Sequence, residues 1–389
     1  MRLGRLLPAC AALTAVLIAC GAPRSRAIDL PHTDPGASRP TLSFVADAVV
    51  PFAGRATGLE FGGLSGLVFD PDTGHWIGVS DDRQSPRWFT LDVRFTPAGL
   101  AIDVGPAVLA EDASWNREAP PTLDLESVGL LPNGDLLAGS EGDLVDGVRH
   151  PHAVVRLTRD GRFVHAVPLP AHYLGDPEGT PPHGLRDNLG FEGMAISPDG
   201  TRVWLAAENP LGQDDDQPTI TAGARTRLLE LVATGDTFTA RREFVYEITP
   251  SGRPVTIGAD AVLADQGVVA LLWINDDELL SMERAFLRDA TSGVNVVRIF
   301  HVRLTDAEDV SAVPSLRARP PARPVTKTLL LDLADLAPAL RPSLARLDNF
   351  EAMAWGPPLP DGTRTILLAS DDNFSRRQQN VFLLLKYQE

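Results

Sequence analysis

The sequence predicts an all-β fold, a β-propeller of five four-stranded blades. Three observations lead there: one hairpin template recurs five times, strand-like runs fill the intervals between copies, and the chain holds 33 glycines and 33 prolines. Such frequent turn formers favour short strands over long helices. A length of 389 residues suits two average domains or one large all-β domain, so length leaves the domain count open.

The copies are LSGLVFDPDTGHWIGVSDD (64–82), LESVGLLPNGDLLAGSEG (125–142), FEGMAISPDGTRVWLAAEN (191–209) and FEAMAWGPPLPDGTRTILLASDDN (350–373), with a weaker VVALLWINDDELLSMER (268–284). Each is a short apolar strand, a turn of Pro, Asn, Asp or Gly, and a second apolar strand running to an acidic residue, the sequence form of a β-hairpin. Further strand-like runs follow at 88–95 and 100–104, 153–158 and 163–167, 227–232 and 238–248, and 294–304 and 328–333. Each unit therefore supplies about four strands, and units that cannot bury both faces alone must stack around an axis. The last unit supplies only 350–355, 365–370 and 381–387, so its missing strand is expected from 41–50, which closes the ring. A sixth blade fits only if a long interval holds a degenerate unit. Two packed β-sandwiches would explain the strand richness but not the recurring hairpin.

The N-terminus reads as an address. Arg2 and Arg5 precede an apolar run, 6–19, too short to span a bilayer as a helix. The run ends Leu17-Ile18-Ala19-Cys20, which resembles the lipobox of bacterial lipoproteins; a plain secretory signal with an incidental cysteine is the alternative. The expected organisation is a signal peptide over 1–19, a flexible Pro/Ser/Ala/Gly tether over 20–40 and the propeller over 41–389. Lipidation of Cys20 would anchor the domain to the cell envelope on the extracytoplasmic side. Gly21, rather than Asp, after the cysteine favours the outer membrane. Cys10 and Cys20 are the two cysteines, so the body keeps no thiol for a disulfide, a zinc-thiolate site or a cysteine nucleophile.

Charge narrows the function further. The chain has 35 Lys and Arg against 51 Asp and Glu, a net charge of −16, and only Lys327 and Lys386 are lysines. This balance excludes a nucleic-acid binder, which needs a basic face. The membrane is expected to be met through the lipid alone, and the chain is taken as a monomer.

In a propeller the first strand of each blade lines the central channel, and the start of strand one shares a rim with the end of strand two. Strand one begins with Ser65, Glu126, Glu192 and Glu351, with Val269 the nearest equivalent in the weak copy. Strand two ends with Asp81, Glu141, Glu208, Glu283 and Asp371; Asp82, Asp143, Asn209, Asp372 and Asn373 extend the set. Carboxylates so placed raise one another's pKa and need cations or shared protons. An all-oxygen set suits Ca²⁺, or Mg²⁺ with waters retained, and no His/Cys cluster argues for zinc. Glu126, Glu192, Glu351 and Arg284 are the expected catalytic residues. Asp81, Asp82, Glu141, Glu208, Glu283, Asp371, Asp372 and Asn373 are the expected metal ligands. Arginines beside the acids, Arg83, Arg186, Arg284, Arg346, Arg376 and Arg377, offer neutralisation without a metal. Acids that tie blades together through backbone N–H groups are the structural alternative.

The runs GFEGMAISPDG (190–200), NFEAMAWG (349–356), LLSMERAF (279–286) and LASDDNFSRRQ (368–378) resemble the blocks of the bacterial "esterase-like activity of phytase" family, over roughly 42–387. The resemblance implies a secreted or periplasmic propeller that hydrolyses phosphoesters or esters, by analogy with calcium-dependent β-propeller phytases. The Asp-Ala-Asp-Asp-Pro block of those phytases is absent. What transfers is therefore the block positions Glu192, Glu283, Arg284, Glu351, Asp371, Asp372 and Asn373.

Other chemistries find no support. Ser65 in Gly63-Leu64-Ser65-Gly66-Leu67 misses the nucleophile elbow by one position and lies in a hairpin. The eight histidines lack metal-ligand spacing, and Gly62-Gly63 lacks the lysine of a P-loop. Two functions remain: a metal-assisted phosphoesterase or esterase acting on a small anionic or ester substrate at the channel mouth, and a non-catalytic module that binds a ligand or envelope protein there.

Overall fold

Apolar strands joined by Asx turns fold every copy of the template into an antiparallel hairpin. In the first, the Asp70 carboxylate accepts from the Asp72 amide at 3.0 Å and the Thr73 hydroxyl at 2.7 Å, and Gly74 takes a φ of 74° that a side chain would resist. In the third, Asp199 accepts from the Thr201 amide at 3.0 Å, beside Gly200 at φ 69°. The computed structural model describes residues 39–389 apart from 52–54, 57–58, 97–98, 111–122, 146–147, 177–178, 180–181, 319–321, 342–343 and 345–346. The signal segment, Cys20, nearly all of the tether and Arg346 lie outside the described residues.

Five four-stranded antiparallel sheets result, each built from the axis outward. Blade I is Leu64–Asp70, His75–Ser80, Arg87–Thr96 and Gly99–Leu109. Blade II is Asp124–Leu130, Leu136–Glu141, Ala153–Leu157 and Phe163–Ala166. Blade III is Phe191–Ile196, Arg202–Ala207, Ala224–Thr234 and Thr237–Ile248. Blade IV is Val262–Asn275, Glu278–Arg288, Gly293–Arg303 and Thr326–Asp332. Blade V is Asn349–Gly356, Arg364–Asp371 and Asn380–Gln388, completed by the N-terminal strand Thr41–Val50, which runs antiparallel to Asn380–Gln388. The first and last parts of the domain thus share one sheet, and the ring closes as the repeat predicts. Among the described residues there are five four-stranded sheets and two two-stranded ribbons, Arg55–Ala56 with Leu59–Glu60 and Asp143–Val145 with Val148–His150, and no helix is long and apolar enough to cross a membrane.

Each interface between neighbouring blades has its own apolar cluster. Trp88 and Leu125 meet between I and II, Phe191 and Val154 between II and III, and Trp204 and Phe300 between III and IV. Met282 and Leu383 meet between IV and V, and Phe89 and Phe382 between V and I. The inner strands touch in cyclic order, Asn349–Gly356 packing against both Val262–Asn275 and Leu64–Asp70. Packed sandwiches would not produce this cycle.

Candidate functional site

One irregularity repeats in all five inner strands. The pairing of strand one with strand two slips by one residue between Leu64 and Gly66, Leu125 and Ser127, Phe191 and Gly193, Val268 and Ala270, and Phe350 and Ala352. The extra residue of each bulge is Ser65, Glu126, Glu192, Val269 or Glu351, the same five positions that the template aligns. A bulge bends its strand and re-aims the side chain, here toward the axis.

Counting along the inner strands from these bulges divides the channel into tiers. Two residues downstream stand Leu67, Val128, Met194, Leu271 and Met353, all apolar, around a void of about 10 Å³. That space holds at most about one water, so this tier plugs the channel. Two residues upstream stand Gly63, Asp124, Gly190, Gly267 and Asn349. Opposite them, at the end of strand two, stand Asp81, Glu141, Glu208, Arg284 and Asp371. Above the plug opens a cavity of about 1290 Å³, lined by side chains that include Asp81, Asp124, Glu126, Glu141, Glu192, Glu208, Asp265, Glu351 and Asp371. Arg284 and Arg83 lie among them, with Arg288, Arg376 and Arg377 also on the wall.

The acids are unequally satisfied. Arg284 donates to Asp265 at 2.5 Å and Glu351 at 2.6 Å, and the Asn349 amide donates to Glu351 at 3.0 Å. Arg83 donates to Asp124 at 2.5 Å, and Glu141 accepts from the Gly190 amide. Glu208 is 1% exposed, yet neither of its carboxylate oxygens has a hydrogen-bond partner among the described residues; Glu192 Oε2 and Asp81 Oδ1 are buried without one there as well. Glu208 fits there because residue 267 is glycine: a Cβ at that position would lie 2.2 Å from its Cγ. A buried polar group left without partners is costly, and two unbonded oxygens on one buried carboxylate mark a place for a ligand. Asp124, Glu126 and Glu141 offer oxygens within 4.8 Å of one another, as do Glu141, Glu192 and Glu208. Glu141 belongs to both triads.

Burial, reinforced by neighbouring carboxylates, drives the pKa values upward. Asp81 is pushed to about 7 by burial and by the charges of Glu351, Asp124 and Asp372. Glu141 rises to about 8, burial outweighing the Gly190 amide that favours its anion. Glu126, Glu192, Glu208 and Asp371 lie well above the ordinary carboxylate range, burial being the first cause in each. Glu351 is also raised by burial, against the Arg284 guanidinium beside it. Without another cation, this cluster shares protons near neutral pH.

The structure brings together Glu126, Glu192, Glu351, Arg284, Asp81, Glu141, Glu208, Asp371 and Asn373 on the cavity wall. It places Asp82, Glu283 and Asp372 elsewhere. Asp82 accepts from the Gln84 and Ser85 amides and pairs with Arg87, holding a turn. Asp372 is fully buried and accepts from the Gly63 and Phe374 amides and the Asn380 side chain, tying blade V to blade I. Glu283 accepts from Tyr246 at 2.8 Å and the Thr249 amide at 3.0 Å and pairs with Lys327, away from the channel. Its register partner is Val268; Arg284, paired with Gly267, takes the place that the acids hold in the other blades. The side chain of Asp143 lies outside the described residues. Asp124 and Asp265 are cavity acids that the template does not pick out. Asp124 lies two residues before Glu126, a spacing that could have found it; Asp265 precedes the weak copy and gives no signal.

The family model described as "Phytase-like: Esterase-like activity of phytase" matches residues 59–374. No curated protein matches the chain. Among solved structures, an endo-arabinase from Bacteroides thetaiotaomicron is similar at 11% identity and a TM-score of 0.41, covering 89% of this chain and 98% of its own. A luciferin-regenerating enzyme is similar at 10% identity and a TM-score of 0.37, covering 85% and 93%. Hydrazine synthase of Kuenenia stuttgartiensis is similar at 11% identity and a TM-score of 0.34, covering 82% and 81%.

The raised carboxyls give a stability profile with a definite sign. The folded state binds their protons more tightly than the unfolded chain, so the stability these groups contribute is fully present at low pH and is lost as pH rises. The loss begins above the ordinary values of 3.8 for Asp and 4.5 for Glu and continues through about 7 for Asp81 and about 8 for Glu141. In EDTA the thermal midpoint is therefore expected to fall steadily from about pH 5 to about pH 8. A midpoint that rises across that interval would contradict the placement of these acids.

Proposed function

The chain belongs to the Phytase-like family, and from that premise we propose that it is a metal-assisted hydrolase of small phosphoric or carboxylic esters, with Ca²⁺ held at the channel mouth. The observation that carries this reading is Glu208, buried with both oxygens unbonded, beside Glu141 and Glu192. An all-carboxylate donor set suits Ca²⁺ better than zinc, and Mg²⁺ would fit with several waters retained. Asp124, Glu126 and Glu141 would hold one ion, and Glu141, Glu192 and Glu208 a second. When bound, the ions supply positive charge that polarises the ester and offsets the negative charge gathering in the transition state.

The rest of the chemistry falls to the chain. Arg376 and Arg377 line the cavity, are exposed and have no ion pair among the described residues, so they are free to meet an anionic substrate as it enters. Glu351 and Arg284 line the cavity as a bonded pair. Asp81 stands outside both triads, its Oδ1 unbonded and its pKa near 7, which suits a general base that takes the proton of the attacking water. The plug of Leu67, Val128, Met194, Leu271 and Met353 packs the axis next to the carboxylates.

The Leu17–Cys20 run supports export and lipid anchoring of the 41–389 propeller at Cys20. Radiolabelled palmitate should enter the wild-type chain and be lost in Cys20→Ala; equal labelling of both would remove the anchor. For the site itself, saturating Ca²⁺ should raise the thermal midpoint of the EDTA-treated protein, because an ion that binds only the folded state stabilises it. Concentrations of about 100 times Kd correspond to roughly 2.7 kcal/mol. Glu208→Gln should lose most of that rise, and para-nitrophenyl phosphate or acetate hydrolysis should depend on Ca²⁺ in the wild type. Stabilisation by Ca²⁺ with no hydrolysis of either ester class would favour the binding-module reading. No stabilisation by any divalent ion would defeat the metal-assisted one.

A further inference from the structure

Five-fold repetition makes one departure conspicuous. At the end of strand two, four blades present Asp81, Glu141, Glu208 and Asp371, and blade IV presents Arg284 in the same register position. Arg284 is 7% exposed and spans the gap between Asp265 of its own blade and Glu351 of blade V, at 2.5 and 2.6 Å. Glu351 accepts a further bond from Asn349, whose amide also reaches Asp371 at 3.2 Å. The guanidinium therefore sits among oxygens much as a bound cation would, with one nitrogen on each of two carboxylates. Among the described residues, the carboxylate triads with oxygens within 4.8 Å both lie on blades II and III, and Arg284 pairs with neither of them.

We propose that Arg284 is a built-in counter-ion occupying a third cation station of the ring, formed by Asp265, Glu351 and Asn349, and that it limits the cavity to two exchangeable divalent ions bridged by Glu141. The proposal rests on the reading that the two triads bind such ions. Its physical basis is charge replacement. Removing one partner from a buried ion pair leaves the other charges uncompensated, and that state is strongly unfavourable. Once Arg284 is gone, Glu351 and Asp265 must take up protons or a cation, and in saturating Ca²⁺ the cation wins. Methionine in its place keeps much of the length of the side chain and removes the charge. In the native ring the blade IV–V wall carries one fixed cation, and the triads of blades II and III would gain divalent charge only from bound ions.

Equilibrium dialysis of the purified protein in saturating Ca²⁺ tests this by stoichiometry. The wild type should bind two ions per chain, Arg284→Met three, and Arg284→Lys two again. Adding Glu351→Gln to Arg284→Met should return the count to two. If Arg284→Met folds only when Ca²⁺ is present, that dependence also supports the proposal, because an ion is then replacing the lost charge. Glu351→Gln alone keeps Arg284 in place and should leave the count at two; a fall to one would make Glu351 a ligand of an exchangeable ion and overturn the proposal. Two ions in the wild type and two in folded Arg284→Met would overturn it while leaving the cation sites intact. No bound Ca²⁺ in the wild type would instead remove the premise, and the proposal with it.

Discussion

Carboxylates gathered in one cavity must be neutralised, and the chemistry of this molecule follows from how that is done. The repeated bulge creates the demand: it turns three glutamates toward one axis, directly above five apolar side chains that keep bulk water from passing through. The end of strand two adds four more acids just above them. Asp124 and Asp265 extend the same surface. Hydrogen bonds from backbone amides reach only some of these groups, and Glu208 receives none. Protons, arginines and divalent ions are the remaining means of compensation.

The ring distributes these means unevenly. On blades IV and V the guanidinium of Arg284 binds Asp265 and Glu351 together. On blades II and III, Glu192 and Glu208 form no ion pair among the described residues, and the two triads share Glu141. Blade I contributes Ser65 where others have glutamate, and blade IV contributes Val269, so the lower tier has a polar and an apolar side as well. Five-fold architecture thus supplies the frame, and substitutions at equivalent positions make the cavity directional. A symmetric ring of five acids would hold cations but would have no means of orienting a substrate.

Much of this was legible in the sequence because the hairpin carries its own punctuation. Asp-Gly and Asn-Gly turns set the spacing between the strands, so Glu126, Glu192 and Glu351 could be aligned before any contact was known. The strand at 41–50 was legible because the last unit fell one strand short. The bulge was not, since it is a feature of pairing, and neither strand alone records it. Blade IV departs by one residue: Glu283 ends an acidic template, but Arg284 holds the position opposite Gly267. Asp82 and Asp372 show a second limit: an acid after a strand can cap backbone amides as readily as face a cavity, and composition does not distinguish the two. Asp265 escaped because the inner strand of blade IV begins at Val262, ahead of the recognisable copy.

The central claim is that protons and divalent ions compete for the same buried carboxylates. Its most direct test is the number of protons released when Ca²⁺ binds, measured by titration calorimetry at pH 7 in buffers of differing ionisation enthalpy. With Glu141 at about 8 and Glu126, Glu192 and Glu208 raised well above the ordinary range, the account predicts release of more than one proton per chain on saturation. Calcium binding without proton release would place the ions on carboxylates that are already charged, outside this ring, and would contradict it.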